Sequence, residues 1–132
     1  MRKVIGIGET VLDIIFRDEK PISALPGGST FNAIISLGRS GVKASMISET
    51  GNDRIGQNII KFMESNGIDA SYVNVYPESK SPLSLAFLND HNDADYIFYK
   101  DHPHDRIDYV YPEVNADDIV LFGSFRSSFI VL

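Results

Sequence analysis

The sequence contains no cysteine and no tryptophan, and it has no long apolar segment. Without cysteine there is neither a disulfide framework nor a thiolate metal site. No apolar run approaches the roughly 18 residues that suggest a membrane-spanning helix, so no membrane partner is expected. The apolar stretch after Met1 is also too short for a secretory signal peptide. These absences make a cytoplasmic location the default expectation.

Basic residues are also scarce. The chain has 12 lysines and arginines against 18 aspartates and glutamates, which gives a formal net charge of −6. This surplus of negative charge opposes binding to a phosphate backbone and argues against nucleic acid as the main partner. The remaining composition is that of a globular protein, with 132 residues of which 43% are hydrophobic and 23% charged. One domain with its own core is therefore expected.

Short β-branched runs alternate with segments of helical periodicity. The predicted strands cover residues 3–8, 44–48, 71–76, 83–88, 94–99 and 118–123. The runs 3–8, 44–48 and 118–123 are predicted to be buried, and a loop is predicted at residues 49–53. The predicted helices run from the Gly27–Gly28 pair to Gly41 and from about Arg54 to Asn66. This alternation predicts an α/β fold with a parallel sheet, in which strands 83–88 and 94–99 form an inserted hairpin.

The most distinctive stretch is the Gly27–Gly28 pair and the helix start that follows it. Two adjacent glycines allow a sharp bend and a close approach of the backbone to another group. Ser29 or Thr30 is predicted to cap the helix, and Asn32 offers a donor and an acceptor on its first turn. Such a helix start suits a polyhydroxylated or anionic ligand. An ordinary loop before a capped helix would give the same pattern.

Several polar residues have more than one interpretation. Asp13 stands in the apolar run 11–16, and it either faces solvent from an edge strand or points into a site. Asp53 is predicted to be the N-cap of the second helix. His102 and His104 flank a proline with no third ligand nearby, which is typical of a surface turn. No metal site is predicted.

Together, four stretches resemble the N-terminal part of the PfkB carbohydrate kinases, the ribokinase-like sugar kinases. They are Gly6–Glu9 with Asp13, the Gly27–Gly28 pair with Asn32, residues 50–56 (Thr-Gly-Asn-Asp-Arg-Ile-Gly) and residues 66–69 (Asn-Gly-Ile-Asp). The resemblance extends from Lys3 to about Phe125. Thr30 departs from it, because many members have a small apolar residue or glycine there.

The resemblance implies a ribokinase-like parallel-sheet (Rossmann-like) core with an inserted β lid. Residues 1–132 would form a single N-terminal sugar-binding part, with lid strands at about 11–17 and 83–100. It further implies that Asp13 accepts hydrogen bonds from substrate hydroxyls and that Asn32 holds another hydroxyl. Gly27 and Gly28 would let the backbone approach the sugar closely. The lid would close over the sugar and exclude water.

Members of this family use ATP to phosphorylate a hydroxyl of a sugar or sugar-like alcohol, as fructokinases and ribokinases do. Their second half, which extends beyond the length of this chain, carries the ATP pocket, a Gly-rich anion hole and the catalytic Asp. No matching Gly-x-Gly-Asp pattern occurs here. We therefore expect ATP and Mg²⁺ to serve the full-length protein, no catalytic residue in this chain, and a truncated kinase that is inactive alone.

Two alternatives remain, a non-catalytic sugar-binding module and a dimerising interaction protein. The hairpin and the apolar segment Phe129–Leu132 predict a homodimer formed through the lid hairpin. The substrate is open, because fructose, ribose, a keto-deoxy sugar acid and a nucleoside all fit one acid, two glycines and an amide. The absence of an evident aromatic pair near the glycine loop favours a plain sugar over a nucleoside.

Overall fold

The computed structural model describes residues 2–101 and 110–123, which contain two β-sheets and two helices. The helices are α1 (Ser29–Arg39) and α2 (Arg54–Ser65). The strands are β1 (Val4–Ile7), β2 (Val11–Arg17), β3 (Lys20–Gly27), β4 (Ala44–Gly51), β5 (Ile68–Asp69), β6 (Val73–Tyr76), β7 (Leu83–Leu88), β8 (Ala94–Tyr99) and β9 (Ile119–Phe122).

The first sheet, which we call the core sheet, is parallel. Its order is β5–β4–β1–β9. β5 pairs with the first residues of β4, and β6 pairs with residues 48–51 of the same strand. Val4 and Ile5 are both buried although successive side chains of a strand point to opposite faces. The β-branched run of β1 therefore forms an interior strand, as its continuous apolar pattern predicts.

Both helices contribute to one hydrophobic core with this sheet. The core contains Phe31, Ile34 and Ile35 of α1, and Ile59 and Met63 of α2, packed with Val4, Ala44, Met46, Ile68 and Val73. The apolar stripe of α2 has the spacing of a helix that buries one face. The predicted α/β architecture with a parallel sheet is confirmed.

The helix ends correspond only partly to the predicted caps. Asp53 is the N-cap of α2, and its Oδ1 accepts a hydrogen bond from the Gly56 N–H at 2.9 Å. The prediction that Ser29 or Thr30 caps α1 is wrong, because the N-cap is Gly28 and no side chain makes a capping bond. Thr30 is buried instead. Gly41 follows the end of α1 with φ of 85°, the conformation expected of a glycine after a C-cap.

The second sheet has the order β3–β2–β7–β8. β2 pairs with β3 and β7 with β8 in antiparallel hairpins, and β2 runs parallel to β7. The predicted hairpin at 83–99 is confirmed. The sequence pattern does not predict β3, because Pro21 and Pro26 are unfavourable inside a sheet, but β3 is an edge strand where proline is tolerated.

Two other strand predictions need correction. β4 extends to Gly51, whereas the pattern predicts a loop at residues 49–53. β9 is predicted to be buried, but Ile119 and Phe122 are 47% and 54% exposed, because β9 is an edge strand of the core sheet in the part of the chain that the structure describes. His102, His104 and the segment 129–132 lie outside the described residues. Within residues 2–101 and 110–123, no helix is both long and apolar enough to cross a membrane.

Candidate functional site

A cavity of about 270 Å³ lies between the start of α1 and the second sheet, next to the carboxyl end of β1. Ligands of open α/β sheets bind at the carboxyl ends of the strands, so the position alone makes this a candidate site. The lining residues come from five different parts of the chain. They are Glu9, Val11, Asp13, Gly28, Ser29, Asn32, Ser84, Tyr96 and Phe98.

Asp13 lies in the interior of the second sheet. It pairs with Leu25 of β3 on one side and with Ser84 of β7 on the other, so it is not on an edge strand. The sequence left two interpretations open, an edge-strand residue that faces solvent or a residue that points into a site. The structure places Asp13 at the cavity. Burial raises the pKa of this carboxyl above its ordinary value, and a hydrogen bond from the Ser84 side chain partly offsets that rise.

The two glycines of the pair occupy different environments. A Cβ on Gly27 would overlap Oδ2 of Asp13 and lie 2.9 Å from its Cγ, so the bare backbone of Gly27 leaves room for the carboxyl group. Gly28 lines the cavity, has φ of 131° and packs against the carbonyl oxygen of Glu9. A side chain at Gly28 would be both strained and obstructed.

Asn32 lines the same cavity from the first turn of α1. Its backbone N–H donates to the Gly28 carbonyl at 2.9 Å, which fixes the residue relative to the glycine. The structure therefore brings Asp13, Gly28 and Asn32 together at one cavity. Gly27 stands behind Asp13 and is not among the residues that line it.

Sequence reasoning missed Ser84 and the aromatic side of the cavity. Tyr96 and Phe98 lie two residues apart on β8, so both project from the same face. Their ring centroids are 5.9 Å apart and the rings are inclined by 12°. The inference that no aromatic pair lies near the glycine loop is therefore wrong, because β8 is distant in sequence but adjacent in space. The spacing of two aromatic residues on one face of β8 was the available signal.

An ion pair crosses the rim of the cavity. Lys100, directly after β8, places its Nζ 2.9 Å from Oε1 of Glu9, which follows β1. Nearby is the buried Glu49, whose Oε1 accepts a hydrogen bond from Tyr76 Oη at 3.4 Å. Burial raises the pKa of Glu49 to about 7, although Lys100 and Tyr76 act in the opposite direction. The charges at the rim thus link the core sheet with the second sheet.

The lining groups determine what the cavity accepts. Two carboxylates, two serines and an amide provide hydrogen-bond acceptors and donors of the kind that several hydroxyl groups require. Among the described residues that line the cavity there is no lysine or arginine. In the described part of the chain, no group of three or more His, Asp or Glu residues is arranged to hold a metal ion.

Solved structures of sugar kinases have the same fold. A sugar kinase from Pyrococcus horikoshii superposes with a TM-score of 0.68 at 25% identity, over 74% of this chain and 34% of that one. The same kinase has been solved in complex with ATP. The two sheets and helices described above are therefore those of the ribokinase-like sugar kinases.

The family follows from the sequence match. The family model described as pfkB family carbohydrate kinase matches residues 1–128, and the chain belongs to this family. A fructokinase from Rhizobium leguminosarum bv. trifolii is 29% identical over 73% of this chain and 30% of its own length. A 5-dehydro-2-deoxygluconokinase from Geobacillus kaustophilus is 34% identical over 57% of this chain and 23% of its own length. The chain thus spans about a third or less of these relatives.

Proposed function

We propose that this chain is the sugar-binding side of an ATP-dependent carbohydrate kinase of the fructokinase or ribokinase type. The observation that supports this most is the convergence of Asp13, Gly28 and Asn32 on one cavity at the carboxyl end of β1. The family match and the sugar kinases among its relatives support the same class of substrate.

Each group has a specific role in this proposal. The ionised carboxylate of Asp13 accepts hydrogen bonds from sugar hydroxyls, which are stronger to a charged acceptor than to a neutral one. Gly28 lets the ring approach the backbone, and Asn32 both donates to and accepts from another hydroxyl. Gly27 allows the carboxyl of Asp13 to occupy its position.

The second sheet acts as a lid in this proposal. Strands β2, β7 and β8 all contribute lining residues, so movement of this sheet would open or close the cavity. A closed lid would exclude water from the reacting hydroxyl, which protects the phosphoryl donor from hydrolysis. The whole chain would be one sugar-binding part, with the lid strands at 11–17 and 83–100.

Phosphoryl transfer needs groups that this cavity does not provide. When bound, ATP supplies the phosphoryl group, and its charge requires cations and a positioned base. Because the chain spans about a third of its relatives, we propose that those groups, and any Mg²⁺, are held by the remaining part of a complete kinase. The chain alone would then bind sugar without phosphorylating it, in the cytoplasm where ATP is available.

The aromatic pair bears on the substrate. Tyr96 and Phe98 line the cavity, and aromatic ring faces stack on the C–H side of a sugar or on a nucleobase. A nucleoside therefore remains a second candidate substrate, and the sequence-based preference for a plain sugar no longer has support. A panel of ligands must include both classes.

We also propose that the chain forms a homodimer through the lid hairpin. The hairpin and strand β3 of the same sheet expose large apolar side chains, which are Ile22, Leu25, Tyr96, Ile97, Phe98 and Tyr99. β3 and β8 are the two edge strands of this sheet, and exposed edge strands are prone to pair with a second chain. Sedimentation equilibrium should detect a dimer that Ile97→Lys weakens. A monomer at all concentrations would contradict the proposal.

Titration calorimetry tests the binding function directly. The chain is titrated with D-fructose, D-ribose, a 2-keto-3-deoxy sugar acid and adenosine, each up to millimolar concentration. We expect saturable binding of one class, lost in Asp13→Ala and retained in Asp90→Ala, a change in the exposed hairpin loop. If the folded chain binds none of these ligands, the proposal that it has a sugar site of its own is contradicted.

A phosphorylation assay tests the kinase assignment. The chain is fused to the remaining two thirds of a related kinase, and sugar phosphate is measured with ATP. We expect product from the fusion and none from the chain alone. If the chain binds sugar but no complete fusion forms product, the non-catalytic sugar-binding module is the better description.

A further inference from the structure

The segment Thr50–Gly56 carries part of the family resemblance, yet none of its residues lines the cavity. It lies where three elements meet: the end of β4, the start of α2 and the chain that enters β7. Ser81 lies just before β7, at the point where the backbone passes from the core sheet to the second sheet. Its side chain is buried.

Asp53 holds Ser81 with both carboxylate oxygens. Ser81 donates from its Oγ to Oδ1 of Asp53 at 2.5 Å and from its backbone N–H to Oδ2 at 2.7 Å. Burial raises the pKa of Asp53, but the hydrogen bonds from Ser81, Gly56 and Ile55 outweigh it and keep that pKa below its ordinary value. The carboxylate is therefore well paired in its charged form.

The rest of the segment completes this contact. The Gly51 N–H donates to Ser81 Oγ at 3.1 Å, and Thr50 Oγ1 lies 2.9 Å from the same oxygen. A Cβ on Gly56 would lie 3.0 Å from Ser81 Oγ, and one on Gly51 would lie 2.5 Å from Ser81 N. The two glycines of the segment thus allow the Asp53–Ser81 contact to form.

A short stretch of chain connects the Asp53–Ser81 contact with the candidate site. Directly after Ser81, the Pro82 carbonyl accepts from the Leu12 N–H at 3.1 Å, which fastens β7 to β2. Ser84 follows on β7, stands opposite Asp13 of β2 in the sheet register and lines the same cavity. Its side chain lowers the pKa of Asp13. Ser84 is only three positions after Ser81, so the Asp53–Ser81 contact lies a short length of backbone from the cavity.

We propose that Asp53 is a positioning residue, which holds Ser81 and thereby keeps Ser84 against Asp13 in the cavity. A residue that merely capped α2 would affect the stability of the helix alone. The role in sugar affinity rests on the function proposed above, whereas the role in placing Ser84 does not. The two can therefore be tested separately.

Two variants test the proposal. Ser81→Ala removes the hydroxyl, and Asp53→Asn keeps an acceptor for the Gly56 N–H but removes one of the two acceptor oxygens used by Ser81. The control is Ser71→Ala, which removes a comparable exposed hydroxyl contact to Asp69, remote from the cavity.

The readouts are the pKa of Asp13 by carbon NMR and the amide exchange of residues 84–86. In both variants we expect the pKa of Asp13 to rise, because the hydrogen bond from Ser84 weakens, and amide exchange to accelerate about tenfold. Affinity for the sugar that the wild type binds should fall about fivefold. Ser71→Ala should change none of the three.

Unchanged Asp13 pKa and unchanged exchange in folded Ser81→Ala would overturn the proposal. If Ser81→Ala does not fold, the same two readouts in Asp53→Asn decide the outcome. If the wild type binds no sugar, the NMR readouts still decide whether Asp53 positions Ser84. Failure of the binding function and failure of the positioning role are then distinguishable.

Discussion

The substitution Gly27→Ala tests the arrangement of the site through stability alone. The new Cβ would overlap Oδ2 of Asp13, and the backbone φ of Gly27 is not in the left-handed region. Any cost must therefore come from crowding of the carboxyl group. Overpacking of this kind costs about 1–3 kcal/mol.

We expect Gly27→Ala to lower the free energy of unfolding by about 1–3 kcal/mol, measured by urea denaturation. In an Asp13→Ala background, the space of the carboxyl is free and the same substitution should cost less than about 0.5 kcal/mol. The difference is the coupling energy of a double-mutant cycle, which isolates the contact between the two residues.

Gly41→Ala is the matched control. Gly41 has φ of 85°, and no other atom lies within 4 Å of the position that a Cβ would take, so its substitution adds backbone strain without crowding. This change should cost about 1–2 kcal/mol equally in both backgrounds. An equal cost of Gly27→Ala with and without the Asp13 side chain would refute the reasoning.

Three further predictions concern the charges and the aromatic pair. Because burial raises the pKa of Glu49 from 4.5 to about 7, the folded chain binds more protons than the unfolded one between these values. Its free energy of unfolding should fall as pH rises from about 5 to 7, and Glu49→Gln should remove this slope in urea denaturation; an unchanged slope would contradict the assignment. Hydrogen bonds from the backbone of Asn115 and Lys3 hold the pKa of Asp118 below its usual value. Asp118→Asn should therefore accelerate amide exchange in β9 and remove stability that the wild type loses only at acid pH. Unaltered exchange would be evidence against this role of Asp118. Phe98→Ala should weaken sugar binding by about 0.5–1.5 kcal/mol in calorimetry, whereas an unchanged Kd would show that the ring does not contact the ligand.

Much of the core could be predicted because its signals are local. The spacing of Ile55, Ile59 and Met63 indicates a helix that buries one face, and the acid at position 53 indicates its N-cap. β3 was missed because its prolines obscure a strand that is stable only as an edge, paired with β2. The burial of β9 was wrongly predicted for a related reason, since its apolar sequence does not reveal how many neighbours it has.

The candidate site was predictable only in part. Asp13, the glycine pair and Asn32 stand near one another in sequence, and three of the four line the cavity. Ser84 and Phe98 reach it through the register of β2 with β7 and of β7 with β8, which brings residues from distant parts of the chain to the same cavity as Asp13. Such pairing depends on the tertiary structure, so the spacing on β8 could indicate an aromatic pair on one face but could not assign Ser84 or Phe98 to the site.

The central claim is that sugar binds at the cavity formed by Asp13, Gly28 and Asn32. The most direct measurement is a nitrogen–proton NMR titration of the chain with the sugar that gives the strongest calorimetric signal, or with millimolar D-fructose if none does. We predict saturable shifts concentrated at residues 13, 28–32, 84 and 96–98, and their loss in Asp13→Ala. Shifts centred elsewhere, or no shifts in a folded chain, would contradict the claim.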